Sequence, residues 1–268
     1  MNNLGFYFHV TNYIVVGTFL IIFLEAFYSI YKKDGVYTLK GTTGNVLGAL
    51  VMKLIVENFG VIMYVGYLIY FEKRLPNIEN IQSYGLLSYL ICLVITDFTF
   101  YWYHRAHHYF RFLWTMHFIH HSDNKLNLST SYRMSWIEKL YNLVVIIPAV
   151  LLGFDPYFVI LCFYFTSVYQ FFIHSQYIKY PHFLNYLFIT PNNHIVHHVQ
   201  AFEKNGMNFG IIFSTWDRIF GTYSEKVNEK KFGLKNYVQD DFLGMQIDPL
   251  VDYFKELKVK FKKYANRS

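Results

Sequence analysis

Cysteine and charged residues are both scarce in this chain. The two cysteines, Cys92 and Cys162, lie inside apolar segments and away from the histidines, which excludes a disulfide framework and a cysteine-based zinc motif. Only 16% of the residues are charged, whereas 54% are hydrophobic. Because the apolar residues come in long blocks, an ordinary soluble domain is excluded as well.

Two further absences concern the ends of the chain. The first apolar block lacks the basic start and the small-residue cleavage site of a secretory signal, so we expect it to be retained. The segment 203–268 holds 12 of the 24 Lys and Arg residues but no nucleic-acid recognition motif, so we expect no nucleic-acid partner and a basic surface near anionic lipid. Within it, an apolar stripe predicts either an interfacial or docking helix or an ordinary amphipathic surface helix: Leu250, Phe254, Leu257 and Phe261.

Three apolar blocks, at residues 12–31, 46–71 and 83–103, are each long enough as a helix to cross a hydrocarbon core of about 30 Å. Buried core helices are the alternative. A fourth region, 141–173, is interrupted by turn residues at 153–156 and predicts a helical hairpin with a short first arm. The pattern predicts about four transmembrane helices.

The distribution of charge predicts the topology. Lys32, Lys33 and Lys40 follow the first block and favour a cytoplasmic loop. Counting crossings from there places the end of the third block and the end of the hairpin on that same side. We therefore predict an all-α, multi-pass membrane protein. Its helical stem comprises 11–103 and 141–173, its cytoplasmic histidine-rich catalytic cap 104–140 and 174–223, and its basic cytoplasmic tail 224–268.

Nine of the twelve histidines fall in three five-residue windows, 104–108, 117–121 and 194–198. Each window has histidines at its first, fourth and fifth positions, a spacing that places two of them on one face of a helix. Imidazole is the commonest metal ligand in proteins. Since nine imidazoles exceed what one tetrahedral zinc ion can use, the pattern predicts two metal ions.

The windows contain no glutamate, which disfavours a zinc hydrolase of the H-E-x-x-H type. Nitrogen-rich sites suit iron, copper or zinc, and redox chemistry needs one of the first two. Two irons could reduce dioxygen and oxidise an unactivated carbon of a substrate dissolved in the bilayer. A membrane metal-binding or transport protein and a non-catalytic scaffold are the rival classes.

Four segments, 97–108, 113–122, 190–198 and 216–223, resemble in order and spacing the motifs of the fatty acid hydroxylase and sterol desaturase superfamily. The resemblance extends over about 84–223 and implies an integral-membrane, histidine-ligated di-iron oxygenase that acts on lipids. Zinc could replace iron during purification, because it binds nitrogen sites more tightly than ferrous iron. In the superfamily pattern His107 is not a ligand, and the implied ligands are His104, His108, His117, His120, His121, His174, His194, His197 and His198.

Within the superfamily, segments 127–133 and 169–174 are most similar to the alkylglycerol monooxygenases. That similarity implies an ether-lipid substrate and tetrahydrobiopterin as the reductant. A sterol or fatty-acyl desaturase or hydroxylase, supplied by a cytochrome-type or ferredoxin-type donor, is the alternative. The membrane would be the endoplasmic reticulum in a eukaryote and the inner membrane in a bacterium.

Two carboxylates are candidates for supporting the metal ligands. Asp97 shares a predicted helix face with His104 and His108, and Asp217 lies beside Arg218. Ligating histidines usually donate their second N–H to a carboxylate or a carbonyl. We therefore predict that Asp97 and Asp217 orient ligands, with a structural salt bridge or a helix cap as the alternative role for each. His182 is expected to be interfacial and not a ligand.

Overall fold

The computed structural model describes residues 3–55, 70, 85–200, 206–225, 231–235 and 242–265. Within these ranges the regular structure is helical, apart from two isolated bridges that pair Phe188 with Phe213 and Val199 with Phe232. The all-α prediction is confirmed.

The described residues form ten α-helices and three turns of 3-10 helix. The α-helices are α1 (Asn3–Lys32), α2 (Leu39–Ile55), α3 (Leu86–Tyr109), α4 (Arg111–His121), α5 (Trp136–Tyr141), α6 (Ile147–Leu151), α7 (Pro156–Phe172), α8 (Pro191–His197), α9 (Thr215–Ile219) and α10 (Phe242–Ala265). The 3-10 turns are Leu128–Tyr132, Asn142–Ile146 and His182–Tyr186.

Two helices are long and apolar enough to cross a membrane, α1 over Asn12–Lys32 and α3 over Leu86–Tyr109. The first and third predicted blocks therefore fall on such helices. The second block, 46–71, is described only over 46–55, where it forms part of α2, and at residue 70; the loop predicted after it lies outside the described residues. The count of four crossings and the cytoplasmic placement of the cap remain predictions.

The predicted turn at 153–156 lies where the chain reverses. Gly153 has a φ of 93°, a value that suits glycine, and the amide of Phe154 donates to the carbonyl of Ala149 at 3.2 Å. The returning arm is α7, which begins at Pro156. The first arm differs from the single helix predicted over 141–152: it is a 3-10 turn followed by α6. Pro148, which has no amide hydrogen, lies in the first turn of α6.

The main apolar core lies where α7 packs against α3. Phe100 and Phe163 stack there with ring centroids 5.3 Å apart. Cys92 and Cys162 are buried in the same core as free thiols, as expected for small apolar side chains. This packing supports α3, whose C-terminal end carries the first histidine window.

Helix α3 ends at Tyr109, and the extended backbone of Phe110 (φ −88°, ψ 122°) redirects the chain into α4. Helix α10 packs along α4, and Arg111 donates to Glu256 at 2.7 Å. Of the predicted apolar stripe on α10, Phe254 and Phe261 remain exposed. An interfacial role for α10 therefore remains a prediction.

Buried polar side chains attach α1 and α2 to the segment that follows α4. Glu25 of α1 accepts a hydrogen bond from the amide of Leu128 at 3.0 Å, and Asn45 of α2 donates to Asp123 at 2.9 Å. These contacts fix the segment up to Arg133, whose carbonyl oxygen reaches the histidines.

Candidate metal centre

Four helices bring the histidine windows together. The last turn of α3 carries the first window, α4 carries the second, α8 and the residue after it carry the third, and a single histidine follows α7. The nine predicted ligands are all buried. The structure therefore brings together the complete set of histidines that the sequence predicts.

Helix α8 is short and is held by contacts from outside it. The amide of Thr190, just before the helix, donates to Asn193 Oδ1 at 3.1 Å. The side chain of Asn208 donates to the carbonyl of Asn193 at 2.9 Å. Pro191 occupies the first helical position, where its missing amide hydrogen has no cost. These contacts fix the third window although the helix has only seven residues.

The nine histidines form two groups. The five-histidine group comprises His104, His108, His117, His121 and His197, and the four-histidine group comprises His120, His174, His194 and His198. Within each group, one ring nitrogen of every histidine lies within 4.8 Å of the others. Each group is therefore compact enough to hold one metal ion.

Adjacent histidines belong to different groups. In the second window, His121 belongs to the five-histidine group and its neighbour His120 to the four-histidine group. In the third window, His197 belongs to the five-histidine group and His198 to the other. Successive helical residues point about 100° apart, so each pair of neighbours can serve two metal positions at once. This explains why paired histidines recur in the sequence.

The outer nitrogen, Nδ1, of several rings donates to a backbone carbonyl. His104 Nδ1 donates to Phe209 O at 2.9 Å and His197 Nδ1 to Met207 O at 2.7 Å. In the four-histidine group, the Nδ1 atoms of His120 and His174 donate to Arg133 O at 3.3 Å and to Gln170 O at 2.7 Å. Since a carbonyl can only accept, the hydrogen lies on Nδ1 and the inner Nε2 keeps a lone pair.

These lone pairs face one another inside each group. His104 Nε2 lies 3.1 Å from His117 Nε2, and His120 Nε2 lies 3.1 Å from His174 Nε2. Two nitrogens that both carry lone pairs cannot form a hydrogen bond with each other, and a cation shared between them relieves their repulsion. His108 Nε2 and His197 Nε2 are also buried without a hydrogen-bond partner among the described residues. The donor set fits a nitrogen-preferring metal.

Burial keeps the rings neutral, which is the form that binds metal. Removal from solvent lowers the pKa of His197 to about 3 and that of His174 to about 4. It also lowers the pKa of the following rings well below the usual histidine value: His120, His121, His194 and His198. Neighbouring histidines lower these last four values further.

The predicted contact between Asp97 and a ligand histidine is not formed. Its carboxylate accepts from the amides of Ile212 and Phe213 at 2.8 and 3.2 Å and from Trp216 Nε1 at 2.9 Å. Asp97 lies seven residues before His104 on α3, a rise of about 10 Å, which is too far for a direct hydrogen bond. The expected ligand-orienting contact is therefore corrected: Asp97 anchors the segment 209–213.

Asp217 anchors the same segment. It accepts from the amides of Phe209 and Gly210 at 2.7 and 2.8 Å and from Thr222 Oγ1 at 2.7 Å. Burial raises the pKa of Asp217 to about 6, so the group is still ionised at neutral pH. The carbonyl of Phe209 accepts from His104. Asp217 therefore supports this ligand indirectly, through Phe209, and not by the direct contact predicted.

The family model for fatty acid hydroxylase matches residues 89–222, half of the chain. The chain belongs to the fatty acid hydroxylase family. This membership confirms the superfamily resemblance, and the matched range contains all nine grouped histidines.

Curated relatives of the chain are named for activities on lipids. Alkylglycerol monooxygenase from Danio rerio is 33% identical over 138 residues, and the one from Homo sapiens is 32% identical over 138 residues. Each match covers 52% of this chain and 31% of the relative, so the shared part is about a third of those enzymes. Ornithine lipid hydroxylase OlsE from Rhizobium tropici is 27% identical over 160 residues, which cover 59% of this chain and 48% of the relative. No solved structure matches the chain.

Sequence reasoning missed Glu138, on α5. Its Oε1 atom lies 3.4 Å from His117 Nδ1 and accepts from the hydroxyl of Tyr103 at 3.4 Å. Burial alone would raise the pKa of Glu138, but the rings of His117 and His107 outweigh burial and lower the pKa to about 2. The only signal in the sequence is one acidic residue within the apolar stretch 136–141.

Besides His9, two histidines lie outside both groups. His107 directs Nδ1 to the carbonyl of Tyr103 at 2.7 Å and Nε2 to the hydroxyl of Tyr141 at 2.6 Å. His182 is 80% exposed and lies 3.5 Å from Glu225. Both placements agree with the expectation that neither residue is a ligand.

A small cavity, with room for about one water molecule, reaches the five-histidine group. His104 and His117 form part of its wall, and Phe100 and Phe163 bring apolar surface. The remaining lining residues are Tyr103, Met134, Glu138, Lys139, Asn142, Ser167, Gln170 and Ile211. The cavity therefore joins the histidines to both polar and apolar side chains.

Proposed function

We propose that this chain is a membrane-bound, oxygen-dependent di-iron enzyme that hydroxylates a C–H bond of a lipid. The observation that carries the proposal is the pair of buried, all-imidazole groups with five and four ligand atoms. Membership of the fatty acid hydroxylase family and relatives named as lipid monooxygenases and hydroxylases support it.

The five-histidine group would hold one iron and the four-histidine group the other. When bound, the two irons supply the redox chemistry that activates dioxygen. Aerobically purified protein is expected to carry some zinc in their place, because zinc binds such sites more tightly than ferrous iron. In the overall reaction one oxygen atom enters the lipid and the other becomes water, at the cost of two electrons and two protons.

The residues of the chain prepare the site in two ways. Hydrogen bonds from Nδ1 to backbone carbonyls fix the tautomer and the orientation of His104, His120, His174 and His197. Burial of all nine rings excludes bulk water, which limits side reactions of activated oxygen.

The substrate best supported is an ether lipid such as an alkylglycerol, since relatives at 32–33% identity are alkylglycerol monooxygenases. Hydroxylation of the carbon beside the ether oxygen would lead to cleavage of the ether. Desaturation or hydroxylation of a sterol or fatty acyl chain is the second candidate. The similarity to ornithine lipid hydroxylase OlsE supports considering lipid substrates other than ether lipids.

We further propose the arrangement in the membrane. Four helices, with a half-inserted hairpin at 141–173, would form the stem and would place the histidine cap at the cytoplasmic face. A lipid could then reach the site from the bilayer. Electrons would arrive from the cytoplasm, from tetrahydrobiopterin or from a cytochrome-type or ferredoxin-type donor. An acidic carrier would be attracted by the basic tail.

The decisive experiment combines metal analysis with isotope labelling. Protein purified from cells grown with iron should contain two metal ions per chain. Membranes given ¹⁸O₂, reductant and an alkylglycerol should form a hydroxylated lipid that carries one ¹⁸O atom, and the cleavage product should derive from that lipid. Two bound metals without incorporation of oxygen into any lipid class would favour a metal-binding or transport protein. Fewer than two metals in folded protein would contradict the di-iron proposal.

The sidedness has its own test. Sealed vesicles of both orientations, given a reductant that does not cross the membrane, should be active only when their cytoplasmic face is outward. Activity restricted to the opposite orientation would contradict the proposed topology and leave the di-iron assignment untouched.

A further inference from the structure

Glu138 is a buried carboxylate with weak hydrogen-bond compensation. It is 1% exposed. The contacts of Oε1 with His117 and Tyr103 are both 3.4 Å, which is long, and the buried Oε2 has no hydrogen-bond partner among the described residues. Burying an ionised carboxylate is costly unless opposite charge or strong donors accompany it.

The groups beside Glu138 that can carry positive charge include the rings of His117 and His107 and the side chain of Lys139. Within the described ranges, its ion-pair partners are His117 at 3.4 Å and His107 at 4.0 Å. Both nitrogens of His107 already have hydrogen-bond partners. An imidazole that binds a cation through Nε2 becomes a stronger donor at Nδ1. His117 would supply that stronger donor when its group holds a metal.

This contact distinguishes the two groups. The other ligand rings with a described Nδ1 hydrogen bond, at His104, His120, His174 and His197, use backbone carbonyls. In the part of the chain that the structure describes, His117 is the one ligand whose Nδ1 meets a carboxylate. Glu138 thus brings a formal negative charge to the five-histidine group.

We propose that Glu138 is a positioning residue that acts through His117 and selectively strengthens the metal position of the five-histidine group. It orients the His117 ring and makes its Nε2 a better donor to metal. The two metal positions are therefore unequal in affinity and in electronic environment. The inference rests on the proposed function in requiring a metal in each group.

The test is the substitution Glu138→Gln, which keeps the size of the side chain and removes its charge. Protein loaded with ⁵⁷Fe is challenged with a chelator, and the metal that remains per chain is followed with time. Loss of a residue that hydrogen-bonds to a metal ligand typically weakens binding about 10–100-fold. We expect one of the two irons to be released that much more readily, and one of two Mössbauer signals to change while the other is unaltered.

Two further variants control the test. Glu138→Asp keeps the charge but withdraws it by one methylene, so its release of metal should be intermediate between wild type and Glu138→Gln. Glu256→Gln makes the same chemical change on the exposed face of α10 and should behave as wild type. If Glu138→Gln fails to fold, Glu138→Asp alone must release one metal faster than wild type.

Either of two outcomes would overturn the inference: wild-type release rates and spectra in both Glu138 variants, or equal weakening of both metals in folded protein. Wild-type protein with fewer than two metals would instead contradict the proposed function. The two failures are therefore distinguishable.

Discussion

The two histidine groups share α4 and α8, but they are supported by different parts of the chain. In the four-histidine group, His174 donates to the carbonyl of Gln170, four residues earlier, which is local helical geometry, and His120 donates to the more distant carbonyl of Arg133 at 3.3 Å. In the five-histidine group, His104 and His197 donate to carbonyls of the segment 207–209, and His117 meets Glu138. A hydrogen bond between a histidine and a carbonyl four residues earlier forms as soon as that end of the helix has formed. Remote support needs the fold to be complete, so the five-histidine group should be the more easily perturbed of the two.

The largest expected effect separates two adjacent residues. His120→Ala and His121→Ala should each reduce activity by more than about 100-fold, beyond the 10–100-fold typical of residues that only hydrogen-bond to a ligand. Each variant should retain one metal, but a different one, because His120 and His121 belong to different groups. Metal analysis with Mössbauer spectroscopy checks this. The same remaining signal in both variants would contradict the assignment of neighbours to separate groups.

Acid should destabilise the fold through the buried histidine rings. Buried rings whose folded-state pKa lies below the unfolded value of about 6.5 stabilise the fold above that value, and the stabilisation is lost as the pH falls. The pH range over which this stabilisation is lost extends down to about pH 4 for His174 and about pH 3 for His197. Metal-free protein should therefore lose stability steadily below about pH 6.5.

As the pH is lowered, both groups should release their metal once their rings become protonated, because protons and metal compete for the same ring nitrogens. Metal release and thermal unfolding measured from pH 7 to pH 3 check this expectation. Full retention of both metals in folded protein at pH 3 would contradict it.

A smaller effect is expected from Asp217→Asn. The amide side chain would place an N–H group against the amides of Phe209 and Gly210, so about 2–4 kcal/mol of stability should be lost. The displaced segment carries carbonyls that accept from His104 and His197, so the five-histidine metal should be held less tightly while the other is retained. Thermal unfolding and chelator challenge check both expectations. Equal weakening of both metals would show that Asp217 supports the whole cap.

The smallest effect on activity is expected from His107→Ala. Both ring nitrogens bond outside the two groups, to Tyr103 and Tyr141, so both metals and most activity should be retained. A modest loss of stability, about 1–3 kcal/mol, follows from the lost buried hydrogen bonds. His108→Ala is the matched control and should lose activity and the five-histidine metal. Equal losses in the two variants would mean that His107 is itself a ligand.

Residue spacing and family resemblance were sufficient to predict which histidines converge. They could not predict that His197 joins the ligands of α3 and α4 while His198 joins His174. That division depends on how α8 is rotated against α4, and the rotation is set by contacts such as Asn208 with Asn193. Such contacts join residues whose pairing leaves no periodic signal in one sequence.

The carboxylates show a second limit of sequence reasoning. Asp97 shares a helix with ligands, yet its carboxylate holds the segment at Ile212. The carboxylate that does reach a ligand, Glu138, comes from another helix and lies 21 residues after His117. A shared helix face tells which residues point the same way. It does not tell which side chains of other helices approach that face.

The hydrogen bonds of Asp217 also set an order of events during synthesis. His104 emerges from the ribosome well over a hundred residues before Thr222, whose hydroxyl completes the contacts of Asp217. At the usual 5–20 residues per second, that interval lasts about 10 s. For most of it α3 and α4 exist without the carbonyl of Phe209 that orients His104. Metal loading is therefore expected to follow translation of this region, and a nascent chain stalled before residue 222 should not hold the five-histidine metal.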